Sequence, residues 1–247
     1  MKKNIFILIV VSLLACKKNS KEVILKQNNP LVAERLKPCE DSHSSYKEAL
    51  QNPDQVCDLF LTNRNKLPEE ISEFTNLQHL TLYNCNIDSF PKNFADKSDL
   101  KTLSISGTSI LPSQIFLLKK LEELIIVKTN IPNLEDKICN ISGLSTLLLI
   151  ESIETADSLS KCIGNFNHLK ILHIGMSSIA KLPEEFKKLT QLEELVITNT
   201  RLKTIQYYLS EMKNLKKLHL EGNKLSAKEI SFLKEKYKGI DLFIKQK

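Results

Sequence analysis

Apolar and polar residues alternate along this chain in short bursts, and the bursts recur. Eight segments open with L-x-x-L-x-L or a close variant, at Val56, Leu77, Leu100, Leu121, Leu144, Leu169, Leu192 and Leu215, a period of 21 to 25 residues. Positions 4 and 6 of each unit are apolar between polar or variable neighbours, the period of two that a strand buried on one face requires. Positions 1, 11 and 14 add further apolar side chains, such as Leu169, Ile179 and Leu182. A single unit cannot close a core with these, whereas stacked copies bury a continuous column. Self-similarity at this period predicts a solenoid.

Position 9 sharpens that reading. From the second unit it is Cys85, Thr108, Thr129, Ser152, Ser177, Thr200 and Asn223, all small residues able to hydrogen-bond between buried aliphatics. A chain turning sharply after each strand exposes backbone polar groups, and such side chains can satisfy them from one coil to the next. With Leu67-Pro68, Phe90-Pro91, Leu111-Pro112 and Leu182-Pro183 in the second halves, residues 56 to 244 resemble bacterial leucine-rich repeats of the 23-residue class. The resemblance implies an α/β solenoid with a curved parallel sheet on its concave face, short helical or irregular convex segments, and a cap at each end. Two units depart from the pattern: the first has Arg64 and Lys66 where a ladder residue and an aliphatic are expected, and the fifth runs to 25 residues through a polar stretch, Glu151 to Ser160.

The ends read differently. Lys2 and Lys3 precede an apolar run from Ile5 to Leu14, a secretory signal too short to span a bilayer. It ends in Leu13-Leu14-Ala15-Cys16, which resembles the bacterial lipobox. That resemblance implies cleavage after residue 15, acylation of Cys16 and attachment to the cell envelope. Lys17, where an inner-membrane lipoprotein usually has Asp, favours the outer membrane. Residues 16–30 form a tether that reaches at most about 45 Å. Residues 31–55 are expected to cap the first coil, and the repeats to occupy 56–239. Within them, Ser226 and Glu229 open a C-terminal capping helix over 226–238, and 240–247 supply a closing strand and tail.

Six cysteines divide by position. Cys16 is the acylation candidate and Cys85 a ladder residue. Cys139 and Cys162 each lie 18 residues after the opening of their unit, in consecutive units, which predicts a disulfide between stacked neighbours. Cys39 in the N-terminal cap and Cys57 in the first strand are expected to form a second. The formal charge of +6 falls to +4 without Lys2 and Lys3, and the excess reads as lysines interleaved with Glu. No dense basic run with aromatics occurs, so no nucleic-acid partner is expected.

No sequence constellation carries chemistry. His43, His79, His168, His173 and His219 lie in no zinc motif, and neither a phosphate loop nor a nucleophile elbow is present. His173 and His219 share one outward strand position two units apart, roughly 10 Å at 4.8 Å per strand. The adjacent acids Glu122-Glu123, Glu184-Glu185 and Glu193-Glu194 read as solvated faces. No catalytic residue, metal or cofactor is therefore assigned. The outward strand positions do carry a signal. They are mostly polar at the ends of the array, but the middle four units present Ile125, Val127, Leu148, Ile150, Ile171, Met176 and Val196, with His173 among them. A contiguous exposed apolar patch on a monomer marks an interaction site. The expected activity is non-catalytic capture of a protein or peptide at the envelope, by a monomer held to the membrane through Cys16. A spacer without a ligand is the alternative.

Overall fold

The computed structural model describes residues 46–91, 94–97, 99–108, 111–129, 134–153 and 156–245; Cys16, Cys39 and the signal and tether segments lie outside them. The described residues form nine parallel strands in one open sheet, in strict chain order. They are β1 (Asp58–Thr62), β2 (His79–Tyr83), β3 (Thr102–Ser106), β4 (Glu123–Val127) and β5 (Thr146–Ile150), then β6 (Ile171–Gly175), β7 (Glu194–Thr198), β8 (Lys217–His219) and β9 (Asp241–Phe243). Each repeat contributes one strand, and β9 is the expected closing strand.

Register follows the repeat. Leu59 pairs with Leu80, Leu80 with Leu103 and Leu103 with Leu124, and so on to Leu218 with Leu242. Position 4 is leucine in all eight units, each at most 1% exposed. Positions 1 and 6 make two further buried columns beside it. One continuous core results, closed by Tyr46, Ala49 and Leu50 at one end and by Ile240, Leu242 and Ile244 at the other.

A coil of this length leaves few residues for the return path. Most are single 3-10 turns, such as Glu69–Glu73, Ser113–Leu117 and Glu184–Lys188, each entered through a proline (Pro68, Pro112, Pro183) in extended geometry. Proline fixes φ and needs no donor at that point. The α-helices are short, α1 (Tyr46–Ala49), α2 (Phe94–Lys97) and α3 (Leu134–Lys137), until the ten-residue α4 (Ala227–Lys236). Gly164 lets two return paths approach, since a Cβ there would stand 2.7 Å from the Glu185 carbonyl oxygen.

The position-9 ladder forms largely as the pattern predicts. The Cys85 thiol donates to the Leu61 carbonyl, the Ser152 hydroxyl to that of Ile126 and the Asn223 amide to that of Ile197, in each case one coil back. Thr200 donates to Asn223 over 2.5 Å. Ser177 breaks the series: its buried hydroxyl has no partner among the described residues. Burial raises the Cys85 thiol above its ordinary value, which keeps it a neutral donor.

Both departing units gain a local fastening. In the first, the Arg64 guanidinium lies over the Tyr46 ring, 5.4 Å from its centroid, while Phe74 packs edge-on against the same ring. Cation–π attraction here takes the place of a ladder bond. Beside the long fifth unit, Cys139 and Cys162 are joined across consecutive coils with Cα atoms 5.7 Å apart. Cys57 is also disulfide-bonded.

The C-terminal cap departs from the expected reciprocal box. Ser226 accepts from the Glu229 amide, as expected. The Glu229 carboxylate turns the other way and accepts from the Ile205 and Gln206 amides and the Thr204 hydroxyl. It therefore ties α4 to the preceding coil.

Gly164→Ala is expected to cost about 1–3 kcal/mol, because the obstacle is backbone. Gly143→Ala, whose Cβ would meet nothing nearer than 3.4 Å, is expected to be nearly neutral. Urea unfolding of the two variants measures the contrast.

Candidate partner-binding face

Strand alternation sends positions 3, 5 and 7 of each unit to the face opposite the core. In-register pairing makes rows of them. The central row runs Phe60, Thr81, Ser104, Ile125, Leu148, His173, Val196, His219, Phe243. After Phe60 the row is polar through β2 and β3 and turns apolar at β4, where the sequence places that change.

The expected eight-residue patch is only partly open. Ile125, Leu148, His173 and Met176 are half-exposed. Val127 and Ile150 (4% each), Ile171 (8%) and Val196 (0%) are buried, which corrects their reading as exposed contacts. None of these four belongs to the hydrophobic core; they are shut on the other side of the sheet. Lateral packing accounts for this. Strands about 4.8 Å apart bring branched side chains at equal offsets into contact. Val127 pairs with Ile150, and Ile150 faces Gly175, where a Cβ would come within 3.1 Å of the isoleucine Cδ1. Val196 sits in register between His173 and His219. What remains open in the middle of the sheet is a narrow strip over β4 to β6, with Phe60 and Phe243 exposed singly at the two ends of the central row.

A polar cluster borders this strip. Glu194 is buried, with one carboxylate oxygen 2.5 Å from His173 Nε2 and 3.0 Å from Lys217 Nζ. Burial opposes its ionisation, but the His173 hydrogen bond and the Lys217 charge outweigh it and lower the carboxyl from 4.5 to about 2. A carboxylate so firmly ionised is a poor proton carrier near neutral pH; its part here is to fix the His173 ring. The reading of Glu193-Glu194 as one solvated pair is therefore corrected. Glu193 faces Lys170 and Lys216 at the surface, whereas Glu194 is enclosed between neighbouring strands. His219 lies 3.4 Å from Asp241, and burial together with Lys217 pushes it below the ordinary imidazole value. No group of three or more His, Cys, Asp or Glu side chains able to hold a metal occurs among the described residues. No described helix is long and apolar enough to cross a membrane.

One feature escaped the sequence reading. Position 8, the residue that ends each strand, has positive φ in all eight units. Asn63, Asn84, Gly107, Asn199 and Gly222 are the residue types that accept this conformation. The other three are Lys128, Glu151 and Met176, at φ 51°, 51° and 49°. They occur in consecutive coils, the same three that carry the open apolar strip. Lys128 and Glu151 approach to 3.8 Å. An L-residue with a long side chain costs roughly 1–2 kcal/mol in this conformation, and such strain gathers where function requires a particular side chain. The recurrence of Asn or Gly at position 8 in the other five units was the available signal.

Comparison with known proteins agrees with this architecture. Models of the leucine-rich repeat match residues 167–225 and 76–96. The chain is 28% identical over 188 residues, 72% of its length, to the volume-regulated anion channel subunit LRRC8D of Homo sapiens and Rattus norvegicus. It spans 22% of the length of those curated relatives. Among solved structures it is similar to a leucine-rich repeat protein of Leptospira interrogans, with TM-score 0.65 and 26% identity over 83% of this chain and 58% of that one. Internalin C2 of Listeria monocytogenes shares the fold, with TM-score 0.63 and 21% identity over 80% of this chain and 83% of that one. The chain thus has the fold of a leucine-rich repeat solenoid, α/β with eight repeat strands and a closing strand.

Two outcomes follow from this geometry. Glu194 is stabilising when ionised, so its contribution is complete above about pH 4.5 and is lost as pH falls toward 2. Wild type is expected to lose about 3 kcal/mol across that window that Glu194→Gln does not lose, read from urea unfolding at each pH. Met176→Asn should raise stability by roughly 1 kcal/mol by relieving positive φ, measured in the same assay.

Proposed function

We propose that this protein is a non-catalytic leucine-rich repeat lipoprotein of the bacterial cell envelope that holds a protein or peptide partner on the outer face of β4 to β6. A single coincidence carries this reading. The three middle coils that leave Ile125, Leu148 and Met176 partly open are also the three that keep strained, long side chains at position 8, whereas Phe60 and Phe243 stand open singly at the two ends of the row. Folding alone favours Asn or Gly at those positions and polar residues in that strip. Retaining Ile125, Leu148, Lys128, Glu151 and Met176 together is economical only if the strip contacts something. Val127, Ile150, Ile171 and Val196 lie behind it as a packed support, and His173 is oriented by Glu194 at its rim. Leucine-rich repeat proteins commonly bind protein partners, which supports the class of ligand. Anchoring rests on the lipobox-like Leu13 to Cys16 and the polar tether behind it.

Leu148→Asp and Ile125→Asp change half-exposed side chains, so folding should survive. Affinity capture from envelope extracts is expected to recover one stoichiometric partner with wild type and to lose it with either variant. Wild-type recovery that neither variant reduces would contradict the docking strip, and absence of any partner would favour the spacer. Separately, Cys16→Ser should move the protein from the membrane to the soluble fraction.

A further inference from the structure

The charge of this chain is not spread evenly, in contrast to its reading as lysines interleaved with Glu. Residues 181–247 contain fifteen Lys and Arg against nine Asp and Glu, a net +6, and the remaining residues balance to zero. Upstream of α4, several of these lysines are neutralised: Lys187 pairs with Glu184, Lys216 with Glu193 and Lys217 with Glu194. Lys181, Lys188, Lys203 and Lys213 have no ion pair among the described residues, and in the C-terminal cap no lysine has one. Lys224, Lys228, Lys234, Lys236, Lys238 and Lys245 are exposed and have no ion pair among the described residues. Of the acids nearby, Glu229 is buried and engaged by the preceding coil, Asp241 faces His219, and Glu235 is exposed on α4 beside Phe232, which leaves six lysines against three acids over 224 to 245.

Helix stability explains only part of this. Lys234 and Lys236 stand in the last turn of α4, where the helix dipole favours a cation. Lys228 stands in the first turn, where the dipole opposes it. Phe232 is equally unexplained: Leu233 fills the core position beside it, yet Phe232 is 43% exposed. Lys228, Phe232 and Lys236 follow at four-residue intervals and therefore share one stripe of the helix surface.

We infer that this stripe of α4 rests on an anionic phospholipid surface, with Phe232 entering the interfacial layer and the lysines lying over the headgroups. A helix that carries an aromatic among lysines suits such an interface. The region from 224 to 245 has six lysines and no arginine. Lysine is a point charge suited to a diffuse headgroup layer, whereas bidentate recognition of a defined phosphate or base favours arginine. The contact is independent of acylation at Cys16 and of any partner on the outer face.

The test uses the full chain with Cys16→Ser throughout, co-sedimented with vesicles of phosphatidylcholine alone or with one third phosphatidylglycerol. The apolar segment before Cys16 and its flanking lysines favour anionic vesicles too but are common to every variant, so the readout is the difference between variants. Binding to the anionic vesicles is expected to be tighter on the order of a hundredfold at low salt and to weaken as salt is added. Joint replacement of Lys228, Lys234 and Lys236 by Gln should reduce that preference at least about tenfold, and Phe232→Ser should weaken binding about tenfold. Circular dichroism checks folding, and Phe232→Ser carries the test alone if the triple variant unfolds. Equal binding to the two vesicles, or a folded triple variant that keeps the preference undiminished, overturns the inference. Tighter binding to a short DNA duplex than to the anionic vesicles, lost in the same variants, overturns it in favour of nucleic acid.

Discussion

Parallel stacking in register is the constraint from which the rest of this molecule follows. Because Leu80 lies beside Leu59 and Leu103 beside Leu80, any residue type repeated at one offset becomes a physical column. On one side of the sheet this produces the leucine core. At the turn it produces a ladder in which Cys85, Ser152 and Asn223 each satisfy a carbonyl of the coil before. Along the return path it brings Cys139 to Cys162. A solenoid is stabilised chiefly through such nearest-neighbour interfaces, so a local irregularity needs a local remedy. Arg64 over Tyr46 and the disulfide beside the long fifth coil are two such remedies.

The same stacking acts on the face away from the core, with a different result. Among the described residues no second layer covers it, and side chains cover one another. Ile150 spreads over Gly175, Val196 disappears between two histidines, and Glu194 is enclosed far enough to depend on His173 and Lys217 for its charge. The outer face is therefore a supported surface. A rigid apolar base with a few open side chains suits recognition, because little conformational freedom is lost on contact. The strain at Lys128, Glu151 and Met176 gives that base a direction, since it marks one edge of the strip where side-chain identity outweighed backbone comfort.

How far this could be read from the chain depends on the range of the interaction involved. Core columns, ladder residues and the Cys139–Cys162 pair depend only on equal offsets, so periodicity revealed them. The change from polar to apolar in the central row was visible for the same reason. The burial of Val127, Ile150, Ile171 and Val196 was not, because it depends on the size of the neighbour in the next strand and on one absent side chain at Gly175. Glu194 was misread because Glu193, beside it in sequence, points to a different row. Glu229 fits a capping box locally, yet the amides of Ile205 and Gln206 compete for it from another coil. The positive φ at position 8 was legible in Asn63, Asn84, Gly107, Asn199 and Gly222, but the three exceptions obscured the rule they break. The concentration of lysine near α4 was hidden by averaging over the whole chain.

What the account asserts above all is that contact occurs on the outer strip of the middle coils. A photo-reactive amino acid at position 148, compared with one at position 117 on the return-path side, tests this in intact cells. Leu117 is the more exposed of the two, at 58%, so accessibility alone favours it. The account predicts a discrete protein adduct from position 148 and none from position 117. Adducts from position 117 with none from position 148 would contradict it.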